Sequence, residues 1–170
     1  MSFLREHYLA KLIRDNGLQR VAELGIWKGR TFLHLLAHTR ATVIGVDAWR
    51  QRPENAAVPG GETYSTWDME AYEANVRRQA AAYGDRAQIL KMETCEAAAQ
   101  IEDGSLDLVF IDADHSEAGV RRDLRDWMPK VRPGGYVTGH DIDWPTVRGV
   151  VEEFFADYER GPDNVWAVRA

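Results

Sequence analysis

The chain has 170 residues, 45% of them hydrophobic and 28% charged, with a net charge of −6. That length and balance suit one globular domain with a real core, and the acidic excess argues against a general affinity for nucleic acid backbone. One cysteine, Cys95, excludes an internal disulfide and fits a reducing cytoplasm.

The first seven residues are too polar for a signal peptide, and no apolar run is long enough to span a bilayer, so the expectation is a single cytoplasmic domain over residues 1–170 that does not enter a membrane. Residues 3–16 place Phe3, Leu4, Tyr8, Leu9, Leu12 and Ile13 at helical spacing, and Gly17 follows as a C-cap, giving an N-terminal helix within residues 1–17. Residues 21–24 read as a short buried strand, Gly25 to Gly29 as a tight turn, and Arg30-Thr31 as the opening of a helix that runs to Thr39. A strand that passes through a glycine turn into a helix N-terminus makes a ligand cradle. The glycines let the backbone approach the ligand, and the first helical N–H groups face its polar end. His34 and His38 stand four apart on that helix, a spacing that can hold a metal. With no acidic or cysteine partner nearby they read as two solvated histidines.

Residues 41–47 form a second strand ending in Asp47, about 22 residues after Gly25. That is near the spacing of a carboxylate that bonds ribose hydroxyls; capping of a turn is the alternative. Residues 48–66 contain Pro53, Pro59, Gly60 and Gly61, with Trp49, Tyr64 and Trp67 at the flanks, and read as a lid or substrate loop. A mobile surface loop or a dimer contact is the alternative there. Residues 67–83 form a helix stopped by Gly84, and residues 87–91 a third strand. Glu93-Thr94 follow, with Thr94 placed to cap a helix over residues 95–101. Residues 105–112 are the most clearly buried strand. The run Leu108-Val109-Phe110-Ile111 marks a central parallel strand that ends in Asp112-Ala113-Asp114-His115. An amphipathic helix over 116–128 leads to a turn at Pro129, Pro133, Gly134 and Gly135, then to a fifth strand over 136–139 that ends at His140-Asp141. A last helix covers 145–158, with Pro145 near its start, and residues 164–169 form a final strand, antiparallel at an edge.

This alternation predicts an α/β fold: a doubly wound, mainly parallel Rossmann-like sheet with helices on both faces. In such a sheet the strand ends share one rim, so Glu23, Gly25, Asp47, Asp112, His115, His140 and Asp141 converge on one cleft. A nicotinamide nucleotide fits poorly, because the turn lacks the full G-x-G-x-x-G pattern and carries Trp27 where a pyrophosphate wants small residues. A sulfonium ligand fits better: Trp27 can face its positive charge in a cation–π contact worth on the order of 1 kcal/mol.

Glu23-Leu24-Gly25-Ile26-Trp27-Lys28-Gly29-Arg30-Thr31 resembles the first motif of class I S-adenosylmethionine-dependent methyltransferases, in the E-L-G-x-x-x-G-x-[ST] form of the catechol and caffeoyl-CoA type of O-methyltransferase. Residues 43–47 resemble the second motif. Residues 107–114 with His115 resemble the D-hydrophobic-I-D-x-D-H segment of small-molecule methyltransferases from bacterial natural-product pathways, and Pro133-Gly134-Gly135 with His140-Asp141 resembles that group's K-P-G-G…H-D closing strand. The resemblance covers about residues 21–141.

The resemblance implies S-adenosylmethionine as cofactor. Gly25 with its neighbours Glu23, Trp27 and Gly29 would cradle the methionine part, Thr31 would bond its carboxylate, and Asp47 would hold the ribose. Glu93 and Thr94 would contact adenine or serve only as helix caps. Asp112 belongs to the cofactor, catalytic and metal positions alike. Asp112 and Asp141 would hold a divalent cation, Mg²⁺ by their oxygen chemistry. The catechol type has Asn after the second carboxylate, where this chain has Ile142. His140 is then a third ligand, which shifts preference toward Mn²⁺, or it orients the substrate. His115 falls where the catechol type carries a catalytic lysine and would be the general base; capping the next helix or bonding Asp114 is the alternative. The implied function is methyl transfer to a small-molecule hydroxyl, assisted by a divalent metal and a His base. N-methylation of a small amine or peptide, or cofactor-fold binding without catalysis, are the rivals. Neither nucleic acid nor a membrane is expected as partner; whether the chain forms a homo-oligomer is left open.

Overall fold

A computed structural model of the chain describes residues 4–50 and 67–170. Most of the proposed lid, residues 51–66, lies outside the described residues. Five strands run parallel: β1 (Arg20–Leu24), β2 (Thr42–Val46), β3 (Ala87–Leu90), β4 (Leu106–Ile111) and β5 (Val131–Gly139). Two more, β6 (Glu159–Arg160) and β7 (Trp166–Arg169), join antiparallel, and the order across the sheet is β3-β2-β1-β4-β5-β7-β6. The helices are α1 (Arg5–Asp15), α2 (Arg30–His38), α3 (Met69–Ala80), α4 (Thr94–Ala98), α5 (Glu117–Trp127) and α6 (Pro145–Phe154). No helix among the described residues is long and apolar enough to cross a membrane.

Successive strand residues point to opposite faces, so each strand feeds two cores. Val21, Val43, Leu108 and Phe110 pack on one face with Leu9 and Ile13 of α1, Phe32 and Leu35 of α2, and Val76 of α3. Ala22, Leu24, Ile44, Val109 and Ile111 pack on the other with Ala97 of α4, Leu124 and Trp127 of α5, and Val150 of α6. This two-sided burial explains why the central strands read as unbroken apolar runs.

Winding reverses between β1 and β4, which places the switch point at Gly25. The register then fixes the rim. Leu24 lies opposite Val46 and Ile111, and Ile111 opposite Gly139. Backbone bonds carry the ladder one residue further, from the N–H of Gly25 to Val46 O, of Asp112 to Leu24 O and of His140 to Ile111 O. Gly25, Asp47, Asp112 and His140 therefore sit level at the carboxyl ends of four adjacent strands.

Several boundaries differ from the sequence reading. Pro133, Gly134 and Gly135 lie inside β5 as a bulge: the register steps from Leu106 opposite Val131 to Leu108 opposite Tyr136, with Gly134 left-handed at φ +78°. Pro brings no N–H to the ladder, and the Gly134 N–H goes to Ala170 O instead. β7 is not the edge strand, because two-residue β6 pairs outside it. α6 ends at Phe154, where Phe155 turns extended. Ser116 caps α5 rather than opening it, accepting from Gly119 N–H. Gly17 does end α1: its N–H bonds Arg14 O and the Leu18 N–H bonds Ile13 O, with buried Leu18 closing the motif. Asp107, the first acid of the 107–114 motif, lies at the other end of β4 from the rim. It fastens β1 there by accepting from the backbone N–H groups of Gln19 and Arg20.

Candidate functional site

The aligned strand ends open into a cleft of about 420 Å³. Glu23, Gly25, Trp27, Thr31, Asp47, Glu93, Thr94, Asp112, His115, His140 and Asp141 all line it. Gly29 does not. It caps α2 in a left-handed conformation, φ +81°, and a Cβ there would meet Val76 of α3 at 2.7 Å. Its glycine is required by helix packing, and the cradle is left to Gly25 and the first turn of α2.

Glu23 is 2% exposed, and its Oε2 has no hydrogen-bond partner among the described residues. Burial first, then the neighbouring Asp112 charge, pushes its carboxyl well above the usual range, while Arg5 opposes the shift. Asp47 holds the turn together: Oδ2 accepts the Trp27 N–H at 2.7 Å and Oδ1 the Trp49 N–H at 2.7 Å. Both tryptophans are left-handed, and the Trp49 indole closes the loop by donating to Trp27 O at 2.8 Å. Asp47 is thus a turn cap and a cleft residue at once; the two readings do not exclude each other. Burial raises its pKa against the pull of those backbone bonds. The Trp27 ring packs on Trp67, with centroids 4.8 Å apart, and the cation over it is Lys28 Nζ at 4.2 Å. The ring expected to meet a sulfonium therefore already has a cation of this chain's own beside it.

At the β3 end the helix cap is Glu93, not Thr94. Glu93 accepts from the third-residue N–H, and Glu96 reaches back to the Glu93 N–H in a capping box. Thr94 is 8% exposed, and its hydroxyl donates to Asp123 of α5 at 2.6 Å. The longer side chain at position 93 reaches the free helical N–H, and a buried carboxylate claims the shorter one at 94.

The β4 and β5 ends bring the reactive groups together. His115 Nε2 lies 2.8 Å from Asp141 Oδ2 and 3.4 Å from Asp112 Oδ1. Burial opposes a charge on this ring, but the hydrogen bonds and charges of Asp112 and Asp141 overcome it and push its pKa to about 10. Burial acts against ionisation of Asp141 as well, but hydrogen bonds from His115 and His140 and their charges overcome it and hold its carboxyl below the ordinary range. Asp141 adopts a left-handed backbone, φ +54°, a conformation that costs a non-glycine residue about 1–3 kcal/mol and clusters at functional sites. Ser116 takes the cap of α5, and the His115 ring meets Asp112 and Asp141.

Among the described residues, Asp112, His115 and Asp141 form the one group whose ligand atoms converge, all within 4.8 Å of one another. His115 joins the two expected carboxylates in that group, and His140 Nδ1 stands beside it, 3.1 Å from Asp141 Oδ2 and 3.7 Å from Asp112 Oδ1, while Arg5 Nη1 lies 3.1 Å from both of its ring nitrogens. His34 and His38 stack on each other with centroids 3.9 Å apart. Burial and the neighbouring His38 and His7 lower the His34 pKa to about 4, so that ring is neutral.

Among the cleft residues that escaped the sequence reading, Arg5 and Trp144 stand nearest the reactive groups. Arg5 sits at the start of α1, more than a hundred residues from its partners, where spacing carries no signal. Trp144 stands with its ring 4.9 Å from that of His115, and only the closeness of position 144 to His140-Asp141 could have marked it.

Residues 22–142 match the family described as a methyltransferase domain. The chain is 30% identical over 130 residues to the uncharacterized protein y4gI of Sinorhizobium fredii, which covers 74% of this chain and 13% of that relative. The chain thus spans about an eighth of the length of the curated relative it matches. Among solved structures it resembles an SAH-bound Podospora anserina methyltransferase, at 15% identity over 97% of this chain and 77% of that one, with a TM-score of 0.70. It also resembles an O-methyltransferase from Bacillus cereus in complex with SAH, at 16% identity over 98% and 80%, TM-score 0.64. A third is TomG of Streptomyces achromogenes, an O-methyltransferase involved in tomaymycin synthesis and bound to SAM, at 13% identity over 98% and 79%, TM-score 0.65. At these identities the likeness to the three structures is one of fold. The family match spans most of the chain and ends just past the His140-Asp141 rim, and the chain belongs to the methyltransferase domain family.

Proposed function

We propose that the chain transfers a methyl group from S-adenosylmethionine to a hydroxyl of a small-molecule acceptor, with His115 taking the hydroxyl proton. The observation that carries this reading is the single cleft in which a turn-held Asp47 and a buried Glu23 face the Asp112, His115 and Asp141 group. The cofactor's charge suits this wall: Glu23 Oε2 is a buried acceptor without a partner among the described residues, and an ammonium beside it would restore its ionised form. The donor set also suits a hard divalent cation, with the carboxylates of Asp112 and Asp141 within reach of one another. When bound, S-adenosylmethionine supplies the methyl on a positively charged sulfur, and a divalent cation at Asp112 and Asp141 supplies charge that lowers the pKa of an acceptor hydroxyl.

The chain's own residues do the rest. Asp47 keeps lone pairs beyond its two backbone bonds and offers them to the ribose hydroxyls. Thr31 and the first N–H groups of α2 meet the methionine carboxylate. His115 holds the acceptor oxygen in line and accepts its proton at Nε2, the atom that faces Asp112 and Asp141. Alignment of oxygen, methyl and sulfur carries much of the acceleration.

Isothermal titration with S-adenosylhomocysteine tests the cofactor half. Binding at micromolar ligand, weakened by about tenfold or more in Asp47→Ala, is expected. No heat at millimolar ligand would overturn the reading.

A further inference from the structure

We infer that Arg5 receives an anionic group of the methyl acceptor, so that the acceptor is a hydroxylated aromatic acid rather than a neutral phenol. This rests on the methyl-transfer reading above and adds the substrate class to it. Arg5 opens α1, on the α1–α3 side of the sheet, yet its guanidinium reaches the ends of β4 and β5. There Nη1 lies 3.1 Å from the ring nitrogens of His140 and 3.5 Å from Asp112 Oδ2. The Asp112 contact is a loose ion pair, longer than an ordinary N–H···O hydrogen bond. The side chain is 19% exposed, and Nε is buried without a hydrogen-bond partner among the described residues. A guanidinium carries five N–H donors in a planar fork that matches a carboxylate edge on. Among the described residues, Nη1 is the one atom of that fork with a side-chain partner. Of the other cleft arginines, Arg30 gives Nε and Nη2 to Glu6 and Arg50 pairs with Glu93 at 2.8 Å, while Arg122 meets Asp114 at 3.9 Å.

The aromatic half of the inference comes from Trp144. Its ring lies 4.9 Å from the His115 imidazole and lines the same cleft, a flat apolar wall beside the atom that takes the proton. A planar ring laid on Trp144 with its hydroxyl toward His115 leaves a ring substituent within reach of Arg5. The methionine part of the cofactor carries a carboxylate as well, but the amide donors of the α2 N-terminus already stand where that group is expected.

Isothermal titration of the protein loaded with S-adenosylhomocysteine separates the sources. The probes are 3,4-dihydroxybenzoate and catechol, on the wild type and on Arg5→Gln and Arg5→Lys. The acid is expected to bind the wild type at least about tenfold tighter than catechol, a ratio in keeping with charge-assisted hydrogen bonds. Arg5→Gln should erase the difference and Arg5→Lys should restore part of it, with the affinity for S-adenosylhomocysteine unchanged. Equal binding of the two probes, or of neither, overturns the inference. So does an Arg5→Gln protein that loses affinity for S-adenosylhomocysteine but keeps it for 5′-methylthioadenosine, which lacks the amino acid part; that places Arg5 on the cofactor's carboxylate. Failure of S-adenosylhomocysteine to bind the wild type overturns the methyl-transfer reading instead.

Discussion

His115→Ala lowers kcat by about 100- to 10,000-fold, the range for loss of a positioned general base, while affinity for S-adenosylhomocysteine stays within a small factor. The expectation follows from position: Nε2 of His115 meets both strand-end carboxylates, 2.8 Å from Asp141 and 3.4 Å from Asp112. With its pKa pushed to about 10, the ring is protonated at neutral pH in the absence of other cations. The basic form grows as pH rises, so the wild-type rate should climb through the alkaline range and the variant should lose that climb. Stability runs the other way. A folded-state pKa above the unfolded value of about 6.5 gives a contribution fully present below pH 6.5 and lost as pH rises toward 10. Thermal melts of wild type and His115→Ala should therefore differ most at mildly acidic pH and converge near pH 10. A variant that turns over at the wild-type rate would remove His115 from the chemistry.

Gly25→Ala is the change expected to damage the fold most. The residue has φ +89°, and a Cβ would lie 2.1 Å from the carbonyl oxygen of Asp112. The obstacle is backbone, part of the central β1–β4 pair, and cannot swing away as a side chain would. A left-handed alanine costs about 1–2 kcal/mol, and overpacking a closed site adds about 1–3 kcal/mol. Together they amount to about 3 kcal/mol or more, which for a chain of this length lowers Tm by roughly 10 °C. The shift needed to relieve the clash also displaces Asp112, so binding of S-adenosylhomocysteine should fall with stability. A Gly25→Ala protein with wild-type Tm and affinity would mean that the two strand ends are not pressed together as described. Gly17→Ala is the contrast: its φ is +61°, but nothing lies within 4 Å of the added Cβ, so it carries only the backbone cost and leaves the cleft alone.

Much of this was legible in the chain itself, for physical reasons. A strand buried on both faces must be apolar throughout, so Leu108-Val109-Phe110-Ile111 declared itself central, and the first polar residue after it, Asp112, had to lie at the rim. The same logic placed Asp47 and Asp141. What stayed hidden depends on contacts between distant segments. Arg5 belongs to a helix whose apolar stripe says where it packs and nothing about where its first side chain reaches. The contact of that arginine with His140 was equally out of sight, as was the nearness of His115 to both strand-end carboxylates. Gly29 fits the glycine motif equally well as cradle or as packing contact, and only the position of Val76 on α3 decides between them. The bulge in β5 was read as a turn because Pro133-Gly134-Gly135 has turn composition; the bond from Gly134 to the chain end keeps it in the sheet.

Distant loops meeting at one edge to seat a sulfur donor beside an acceptor is the claim that everything else needs. A crystal structure of the chain grown with S-adenosylhomocysteine tests it most directly. Ribose hydroxyls against Asp47, and a sulfur that opens toward His115 between the β4 and β5 ends, is the expected result. A nucleoside bound away from Glu23 and Asp47, or a sulfur screened from His115 by the body of the sheet, would contradict it.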